Sequence, residues 1–353
     1  MSINNNISNH SINIWKFINN KYNDKYKYYI DNFESTKIGI LEITHYMTTK
    51  KVSEIFKYNI PNHKNLFIYR YDDVFYIDNN NILKHSSLHP SQPIEFFKNT
   101  TTILNNIKQI STSSSHIIML CDKDQIYVSG SNKFGQLGLQ NRQDVSIFNP
   151  KLLNFNNGTV KQVVAGNFFS AILMGNGDLY MCGYNEAGQL GLGDIADRVT
   201  FVKVNFDKKI KYVSCENLNT IIITDDNEVY LSGISNNVDI IDKFTKIEGL
   251  CNIVKVACGY NHILYLNDKR ELFASGLTHN NALIIKKKST GNTIKKIADN
   301  VIDMIAGDDI TAIIDTDFTL KVYGKINIKN GNEIKNIRNV SLSLNKLIFS
   351  YFD

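Results

Sequence analysis

The stretch GYNEAGQLGL at residues 183–192 decides the fold of this chain, because a close copy, GSNKFGQLGL, occupies residues 130–139. The two copies start 53 residues apart. Taken alone, a stretch so rich in glycine is similar to a loop that binds phosphate through backbone N–H groups at a helix N-terminus. Recurrence changes this interpretation, because glycines that return with a repeat belong to a repeated structural unit.

The similarity extends upstream of both copies. IKQISTSSSHIIMLCDKDQIYVSG (107–130) aligns without a gap with VKQVVAGNFFSAILMGNGDLYMCG (160–183). Three weaker copies begin at residues 210, 253 and 301. Each of the five copies closes on a glycine, and these are Gly130, Gly183, Gly233, Gly276 and Gly324.

Two further segments keep part of the pattern. Residues 65–84 show the same order of apolar runs and turns without the glycines, and residues 334–353 contain only the first half of a unit. The chain therefore contains six units that start near residues 65, 107, 160, 210, 253 and 301, followed by half of a seventh.

Within each unit the pattern predicts strands rather than helices. In the unit that begins at Val160, three apolar runs alternate with turns at Gly166–Asn167 and Gly175–Asp178, and a fourth run follows at Phe201–Val204. Short apolar and β-branched runs between Gly, Asn and Asp are typical of strands. Four strands in a unit of about 50 residues are typical of a β-propeller blade.

These units resemble the regulator of chromosome condensation repeat family, whose members form seven-bladed β-propellers. The resemblance covers roughly residues 38–353 and is strong from 107 to 276. It rests on a glycine after the first strand, a His or Ser that follows it, an aromatic residue three positions before the closing glycine, and the motif N-x-x-G-Q-L-G. The residues at these positions are Gly166, Gly259, Gly307; His116, Ser170, His262; Tyr127, Tyr180, Tyr230, Phe273; and the stretches Asn132–Gly138 and Asn185–Gly191.

We therefore predict an all-β fold, a seven-bladed β-propeller of four-stranded blades that spans residues 37–353. The half unit at the C-terminus lacks outer strands, and the strand-like segments KIGILEITHY (37–46) and SEIFKYNIP (53–61) are available to supply them. The two ends of the chain would then share the last blade and close the ring, which removes exposed sheet edges.

Residues 1–36 form an N-terminal extension that two interpretations fit. One is a short helix that carries Ile14, Phe17 and Ile18 and docks on the propeller or on a partner. The other is a partly ordered, Asn-rich tail. The sequence leaves both open.

The repeat also assigns structural roles to its loop residues. Gly183 and Gly188 are expected to adopt positive φ or to allow a close approach at the strand crossover. Leu190 is expected to pack between blades, and Gln189 to bond neighbouring loop backbone. The structural motif comprises Gly130, Gly135, Gln136, Leu137, Gly138, Gly183, Gly188, Gln189, Leu190 and Gly191.

Composition limits the function classes. The chain of 353 residues is 43% hydrophobic and 21% charged, which is ordinary for a soluble globular protein. Its net charge of +5, from 39 basic and 34 acidic residues, is too balanced to indicate nucleic-acid binding. The sequence shows neither a membrane span nor a secretory signal. We expect an intracellular protein, cytoplasmic or nuclear, and a monomer.

The sequence gives little support to an enzyme. None of the eight histidines has a metal-binding spacing, and the nucleophile-elbow and phosphate-loop motifs are both missing. The five cysteines contain no C-x-x-C pair, and we expect buried, reduced thiols rather than zinc ligands or disulfides. We predict no catalytic residue, no metal and no cofactor.

The resemblance implies a protein partner. The founding member of the family exchanges guanine nucleotide on the small GTPase Ran, and it uses one propeller face with acidic and histidine residues in the turns after the first strands. The equivalent turns here contain the partner-face candidates Asp72, Asp73, His116, Glu216, His262, Asp308 and Asp309. The repeat also explains His116 and His262 as turn residues.

Three functions remain open, and the sequence favours the first. They are a non-catalytic protein–protein interaction platform, a guanine nucleotide exchange factor or regulator for a Ran-like small GTPase, and a chromatin-associated propeller. Closing glycines 43 to 53 residues apart leave no evident room for an inserted wedge of the exchange-factor type. The degenerate fourth and sixth units also favour a platform.

Overall fold

The computed structural model describes residues 40–42, 63–69, 73–78, 80–87, 101–113, 115–234, 239–259, 262–276, 293–307, 310–324, 333–335, 337–343 and 346–351. In this part of the chain the regular elements are all β-strands, apart from one 3₁₀ turn at Asp122–Asp124. The predicted all-β class is therefore confirmed. The N-terminal extension and the strand-like segment 53–61 lie outside the described residues.

The strands in chain order are β1 (Ile40–Glu42), β2 (His63–Tyr69), β3 (Asp73–Asp78), β4 (Leu83–Ser87), β5 (Thr101–Leu104), β6 (Ile107–Thr112), β7 (His116–Cys121), β8 (Ile126–Gly130), β9 (Lys151–Leu152), β10 (Val160–Ala165), β11 (Phe169–Met174), β12 (Leu179–Gly183), β13 (Arg198–Lys203), β14 (Ile210–Glu216), β15 (Asn219–Thr224), β16 (Val229–Ile234), β17 (Ile240–Lys246), β18 (Ile253–Cys258), β19 (His262–Asn267), β20 (Leu272–Gly276), β21 (Lys295–Ala298), β22 (Val301–Ala306), β23 (Ile310–Asp315), β24 (Leu320–Gly324), β25 (Glu333–Ile334), β26 (Ile337–Ser343) and β27 (Lys346–Tyr351).

The strands form antiparallel sheets in which chain neighbours are also spatial neighbours. Six sheets have four strands each, and their orders are β2-β3-β4-β5, β6-β7-β8-β9, β10-β11-β12-β13, β14-β15-β16-β17, β18-β19-β20-β21 and β22-β23-β24-β25. The first strands of these sheets start close to the predicted unit starts. The sequence repeat therefore corresponds to one four-stranded sheet.

The remaining sheet has three described strands in the order β1-β27-β26. Its register pairs Ile40 with Ile348 and Glu42 with Lys346. A strand from the segment 37–46 thus joins the C-terminal half unit, as predicted.

The strand patterns reflect where each strand lies in its sheet. The second strands β7, β11, β19 and β23 are buried at all six positions, which suits strands covered on both faces. The fourth strands β13 and β17 are exposed or half-buried along their length. The third and fourth sheets therefore have a buried middle and an exposed outer edge.

The hydrophobic core is divided into clusters that lie between consecutive sheets. One cluster joins Ile118 and Val128 of the second sheet to Val163 and Ile172 of the third, with the loop residue Leu137 among them. Leu190 occupies the same place in the next cluster, between the third and fourth sheets. The prediction that Leu190 packs between blades is confirmed.

A β-bulge recurs at the start of every first strand. The strands β2, β6, β10, β14, β18, β22 and β26 all shift register between their first and third residues. The second residue is therefore left out of the ladder, and the strand bends there. The sequence analysis did not predict this feature.

The loop glycines are required for two separate reasons. Gly183 and Gly188 have φ of +108° and +74°, values that favour glycine. A Cβ added to Gly188 would lie 2.7 Å from the backbone Cα of Asp242 in β17 of the next sheet. The predicted positive φ and close approach are both confirmed.

We predict that Gly188→Ala destabilises the protein more than Gly249→Ala does. Gly249 also has a positive φ, +82°, but nothing lies within 4 Å of an added Cβ, so its substitution isolates the backbone cost of about 1 kcal/mol. At Gly188 the clash with backbone adds overpacking, for a total of about 3 kcal/mol or more. Urea unfolding of the two variants measures the difference. Equal losses in the free energy of unfolding would show that the loop at Gly188 is not in close contact with β17.

Candidate functional site

One asparagine, Asn132, stabilises the loop that follows β8, the third strand of the second sheet. The Asn132 side chain accepts a hydrogen bond from Leu137 N at 2.9 Å and donates one to Asn141 O at 2.9 Å. Its backbone N–H donates to Asp144 Oδ1 at 2.8 Å. Asn132 is fully buried, and its side chain connects the part of the loop at Leu137 with the part at Asn141.

The third sheet repeats this arrangement. Asn185 accepts from Leu190 N at 2.9 Å and donates to Asp194 O at 2.9 Å, while its own N–H donates to Asp197 Oδ1 at 3.0 Å. The N-x-x-G-Q-L-G motif therefore encodes one loop geometry, used twice.

The glutamine of each motif connects its loop to the next sheet. Gln189 Oε1 accepts from Ala187 N at 3.0 Å, as the sequence predicted. Its backbone oxygen accepts from Thr220 Oγ1 of β15 at 2.7 Å. In the preceding loop Gln136 O accepts from Ser170 Oγ of β11, also at 2.7 Å. These groups are buried, and the loop is therefore part of the contact between sheets.

The loop is accordingly not a phosphate site. Its N–H groups are occupied within the protein, because Gly188 N bonds Asn185 O and Gly191 N bonds Gly188 O. The chain continues into strand β13 rather than into a helix. The architectural interpretation of the repeated glycines is thus supported by the hydrogen bonds.

Two of the partner-face candidates, His116 and His262, are buried between sheets. His116 Nε2 lies 2.7 Å from Ser170 Oγ, and its Nδ1 lies 3.0 Å from both Ser113 Oγ and Ser115 Oγ. His262 Nε2 lies 3.0 Å from Thr311 Oγ1 of the following sheet. Both histidines therefore join sheets, and the burial of His116 lowers its pKa to about 3.

The structure corrects the predicted equivalence of His116, Ser170 and His262. His116 pairs with Gly130 and His262 with Gly276, but it is Phe169 that pairs with Gly183. Ser170 is one position further along. Because successive strand residues face opposite sides, Ser170 is the bonding partner of a histidine rather than its equivalent.

Of the other partner-face candidates, Glu216 and Asp73 lie where the first strand turns into the second. Glu216 is half-buried at the end of β14, and Asp73 begins β3. Asp72, Asp308 and Asp309 lie outside the described residues. A partner face built on these side chains remains a prediction.

An aromatic group at the same end of the sheets was not predicted. The ring of Phe134 lies 5.4 Å from that of Phe168 and 4.9 Å from that of Tyr184. Tyr184 Oη donates to Glu186 Oε2 at 2.8 Å, and burial raises its pKa above the usual range. Two half-buried phenylalanines thus lie beside exposed Lys133 and Glu186. Phe134 belongs to one sheet and Phe168 and Tyr184 to the next, so sequence spacing does not reveal that the three rings are in contact.

The cysteines differ from the prediction at one position. All five are free thiols, and Cys121, Cys182, Cys215 and Cys258 are buried, but Cys251 is exposed. Burial raises the pKa of Cys121 to about 11 and that of Cys258 to about 12. Among the described residues there is no group of three or more His, Cys, Asp or Glu side chains that could hold a metal, and no helix long and apolar enough to cross a membrane.

The repeats match a known family. The family model of the Regulator of chromosome condensation (RCC1) repeat matches residues 123–173 and 176–222, and a second model of the same repeat matches 160–189. The four-stranded antiparallel sheets of the described residues resemble RCC1 propeller blades. Residues 123–173 and 176–222 of the chain are therefore RCC1 repeats.

Curated relatives match only part of the chain. It is 31% identical to the Ultraviolet-B receptor UVR8 of Arabidopsis thaliana over 48% of this chain and 41% of the receptor. It is 37% identical to the Secretion-regulating guanine nucleotide exchange factor of Mus musculus over 31% of this chain and 24% of that protein. The chain therefore spans less than half of the length of these relatives.

Solved structures support the fold. Human WBSCR16 gives a TM-score of 0.67 at 16% identity, over 80% of this chain and 86% of that one. Prp20p from Saccharomyces cerevisiae gives 0.57 at 15% identity, over 73% and 68%. Identities this low carry the fold and not the function.

We predict that His116 makes the protein less stable in mild acid. In the unfolded chain this histidine takes up a proton near pH 6.5, whereas in the folded protein its pKa is about 3. Neutral His116 therefore makes its full contribution to the free energy of unfolding above pH 6.5. This contribution falls by about 1.4 kcal/mol per pH unit as the pH drops towards 3.

Urea unfolding of the protein and of His116→Gln at pH 7 and pH 5 separates this contribution from that of all other groups. The unsubstituted protein should lose about 2 kcal/mol more than the variant over this interval. Identical losses would mean that His116 is protonated in the folded protein at its ordinary pKa.

Proposed function

We propose that the chain forms a closed seven-bladed β-propeller that acts as a non-catalytic platform for protein–protein interactions. Closure is supported by contacts at the junction of the chain ends, because β26 lies against β22 on one side and against β2 on the other. It is also supported by the pairing of β1 with β27, which gives the last sheet strands from both ends of the chain.

The observation that supports an interaction platform is that two loops have the same hydrogen bonds but different exposed side chains. The two N-x-x-G-Q-L-G loops share their hydrogen bonds, yet the positions after the asparagine differ. The first loop presents Lys133 and Phe134, whereas the second has Glu186 and Ala187. Lys133 and Glu186 are exposed, while the asparagines beside them are fully buried. A rigid loop binds a partner with little loss of conformational entropy, which favours a surface for recognition.

The electrostatics of the described residues also favour a platform over an enzyme. The largest lowering of a carboxyl pKa is that of Glu228, to about 2, and its cause is hydrogen bonding to Lys208, Lys246 and Tyr230 on the surface. His116 and the shifted cysteines are buried among strands. These shifts come from ion pairs and core burial, not from groups that converge on an open cleft.

The alternative is a guanine nucleotide exchange factor or regulator for a Ran-like small GTPase, or a chromatin-associated propeller. Similarity to the Secretion-regulating guanine nucleotide exchange factor favours the exchange-factor alternative. The chain is also 31% identical to the X-linked retinitis pigmentosa GTPase regulator of Canis lupus familiaris over 35% of this chain and 13% of that protein. The structure of Prp20p was described with its binding to Gsp1p and histones, but at 15% identity it supports the fold alone.

We predict that exchanging the charges at the two loop tips alters partner binding without affecting the fold. The variant Lys133→Glu with Glu186→Lys keeps the net charge and should lower the unfolding midpoint only slightly, because both side chains are exposed and the one side-chain hydrogen bond lost is that from Tyr184 Oη to Glu186. Proteins captured by the unsubstituted chain from an extract of its cells should be lost. The matched control, Lys151→Glu on the exposed strand β9, should retain them.

Release of labelled GDP from a panel of Ran-like GTPases separates the two candidate functions. The platform predicts no acceleration and no stable nucleotide-free complex. Accelerated release would overturn it in favour of exchange, and Asp308→Ala with Asp309→Ala would then test the partner face. Capture unchanged by the loop-tip swap would show that the platform uses another surface.

A further inference from the structure

Two Asn-Gly pairs in the described part of the chain differ in how the backbone around them is held. Asn157-Gly158 lies in the connection between β9 and β10, and Asn176-Gly177 lies in the turn between β11 and β12. Both asparagines are exposed. A third pair, at residues 330–331, lies outside the described residues. The two described pairs therefore place the same dipeptide in two different backbone environments.

An Asn-Gly pair can lose its side-chain amide without an enzyme. The backbone nitrogen of the glycine attacks Cγ of the asparagine and gives up its proton, the bond from Cγ to the side-chain nitrogen breaks, and ammonia leaves. Water then opens the cyclic succinimide at either of its carbonyl groups, which gives aspartate or isoaspartate. Glycine favours the attack because it has no Cβ and its backbone reaches many conformations.

The backbone at Asn157-Gly158 is free to undergo this reaction. Neither the Asn157 side chain nor Gly158 N has a hydrogen-bond partner among the described residues. Both residues are exposed. Gly158 has φ of +106°, and a Cβ added to it would have nothing within 4 Å. The attacking nitrogen and Cγ of Asn157 can therefore approach each other without the loss of a hydrogen bond.

The connection between β9 and β10 is anchored on either side of this pair. Leu153 N donates to Ile126 O at 2.8 Å, and Gly175 N donates to Thr159 O at 2.8 Å. An isoaspartate at Asn157 lengthens the backbone by a methylene group, and the exposed residues between these two bonds can accommodate it. The product is therefore compatible with the folded protein.

The other pair is held on all sides by the turn between β11 and β12. Gly177 N donates to Met174 O at 3.1 Å, and Gly177 O accepts from Ile210 N at 3.2 Å. The Asn176 side chain donates to Asp178 Oδ2 at 3.1 Å and accepts from Asp178 N at 3.0 Å. A Cβ added to Gly177 would lie 3.1 Å from Ile210 N of the next sheet. Attack by Gly177 N would have to break several of these bonds.

We propose that Asn157 is a site of spontaneous deamidation in the folded protein, whereas the fold protects Asn176. The reaction replaces a neutral amide with a carboxylate in the connection between the second and third sheets. This connection follows a fourth strand, and the motif loops follow third strands that run antiparallel to the fourth. The site therefore lies at the end of the sheets opposite the motif loops, and the proposal is independent of the proposed function.

Incubation of the folded protein in mildly alkaline buffer, followed by proteolysis and mass spectrometry, measures the acid formed at each pair. Asn157 should be converted about fivefold faster than Asn176 or more, the rate factor for a reaction that must first break an ordinary hydrogen bond. The matched control is the same chain unfolded in guanidinium chloride, where Asn176 should be converted nearly as fast as Asn157.

Two variants test the chemistry and its tolerance by the fold. Gly158→Ala places a Cβ beside the attacking nitrogen and should slow conversion of Asn157 while leaving that of Asn176 unchanged. Asn157→Asp should keep the urea midpoint of the unsubstituted protein, because the side chain that it replaces is exposed and unbonded within the described residues.

The proposal is wrong if the two pairs are converted at equal rates in the folded protein, or if Asn157 is converted only once the chain is unfolded. Unchanged conversion in Gly158→Ala would rule out attack by the Gly158 nitrogen. A lower midpoint for Asn157→Asp would show that the fold does not tolerate the product. Partner capture and GDP release, which test the proposed function, are measured separately from all of these outcomes.

Discussion

The arrangement of the sheets depends on one kind of hydrogen bond. A Ser or Thr hydroxyl in the second strand of a sheet donates to the backbone oxygen of the motif glutamine in the preceding loop. Ser170 Oγ to Gln136 O and Thr220 Oγ1 to Gln189 O are each 2.7 Å long and buried. A buried carbonyl without a partner costs about 1–3 kcal/mol. Each loop can therefore bury its backbone only when the next sheet is in place, and this couples neighbouring sheets.

The first strands use the same device along their open edges. Gln109 Oε1 accepts from Val163 N at 2.9 Å, and Gln162 both donates to Val213 O at 2.8 Å and accepts from Val213 N at 3.1 Å. An unpaired strand edge is a template for aggregation. Here a side chain of one sheet satisfies the backbone of the next, so the edge is covered without a further strand. Between the fifth and sixth sheets an ion pair, Lys255 with Asp303, occupies the corresponding position.

The repeat was visible in the sequence because its strongest signals are local. Gly183, Gly188 and the motif asparagines act within one loop, and their spacing predicted both the strands and the roles of the loop. The bulges were missed because a bulge depends on pairing with the second strand, which spacing alone does not reveal. The equivalence of His116 and Ser170 failed for a different reason: the gapless alignment of 107–130 with 160–183 already places Phe169 opposite His116, and an offset of one residue moves a strand side chain to the other face.

The candidate site was less predictable than the fold. The turns that follow the first strands were recognised, but the burial of His116 and His262 depends on Ser170 and Thr311, each contributed by the following sheet. The group of Phe134, Phe168 and Tyr184 likewise forms across two sheets. Sequence spacing predicts which residues lie in turns, whereas contacts between sheets decide which of those residues remain exposed.

Native-state hydrogen exchange of the loop amides tests the coupling between sheets most directly. Leu137 N and Leu190 N bond buried asparagine side chains within the loops that Ser170 and Thr220 hold. The account predicts that both amides exchange as slowly as those of β11 and β15, and that Thr220→Val speeds exchange at Leu190 while leaving Leu137 unchanged. Exchange of the unsubstituted protein at the rate of an open surface loop would contradict it.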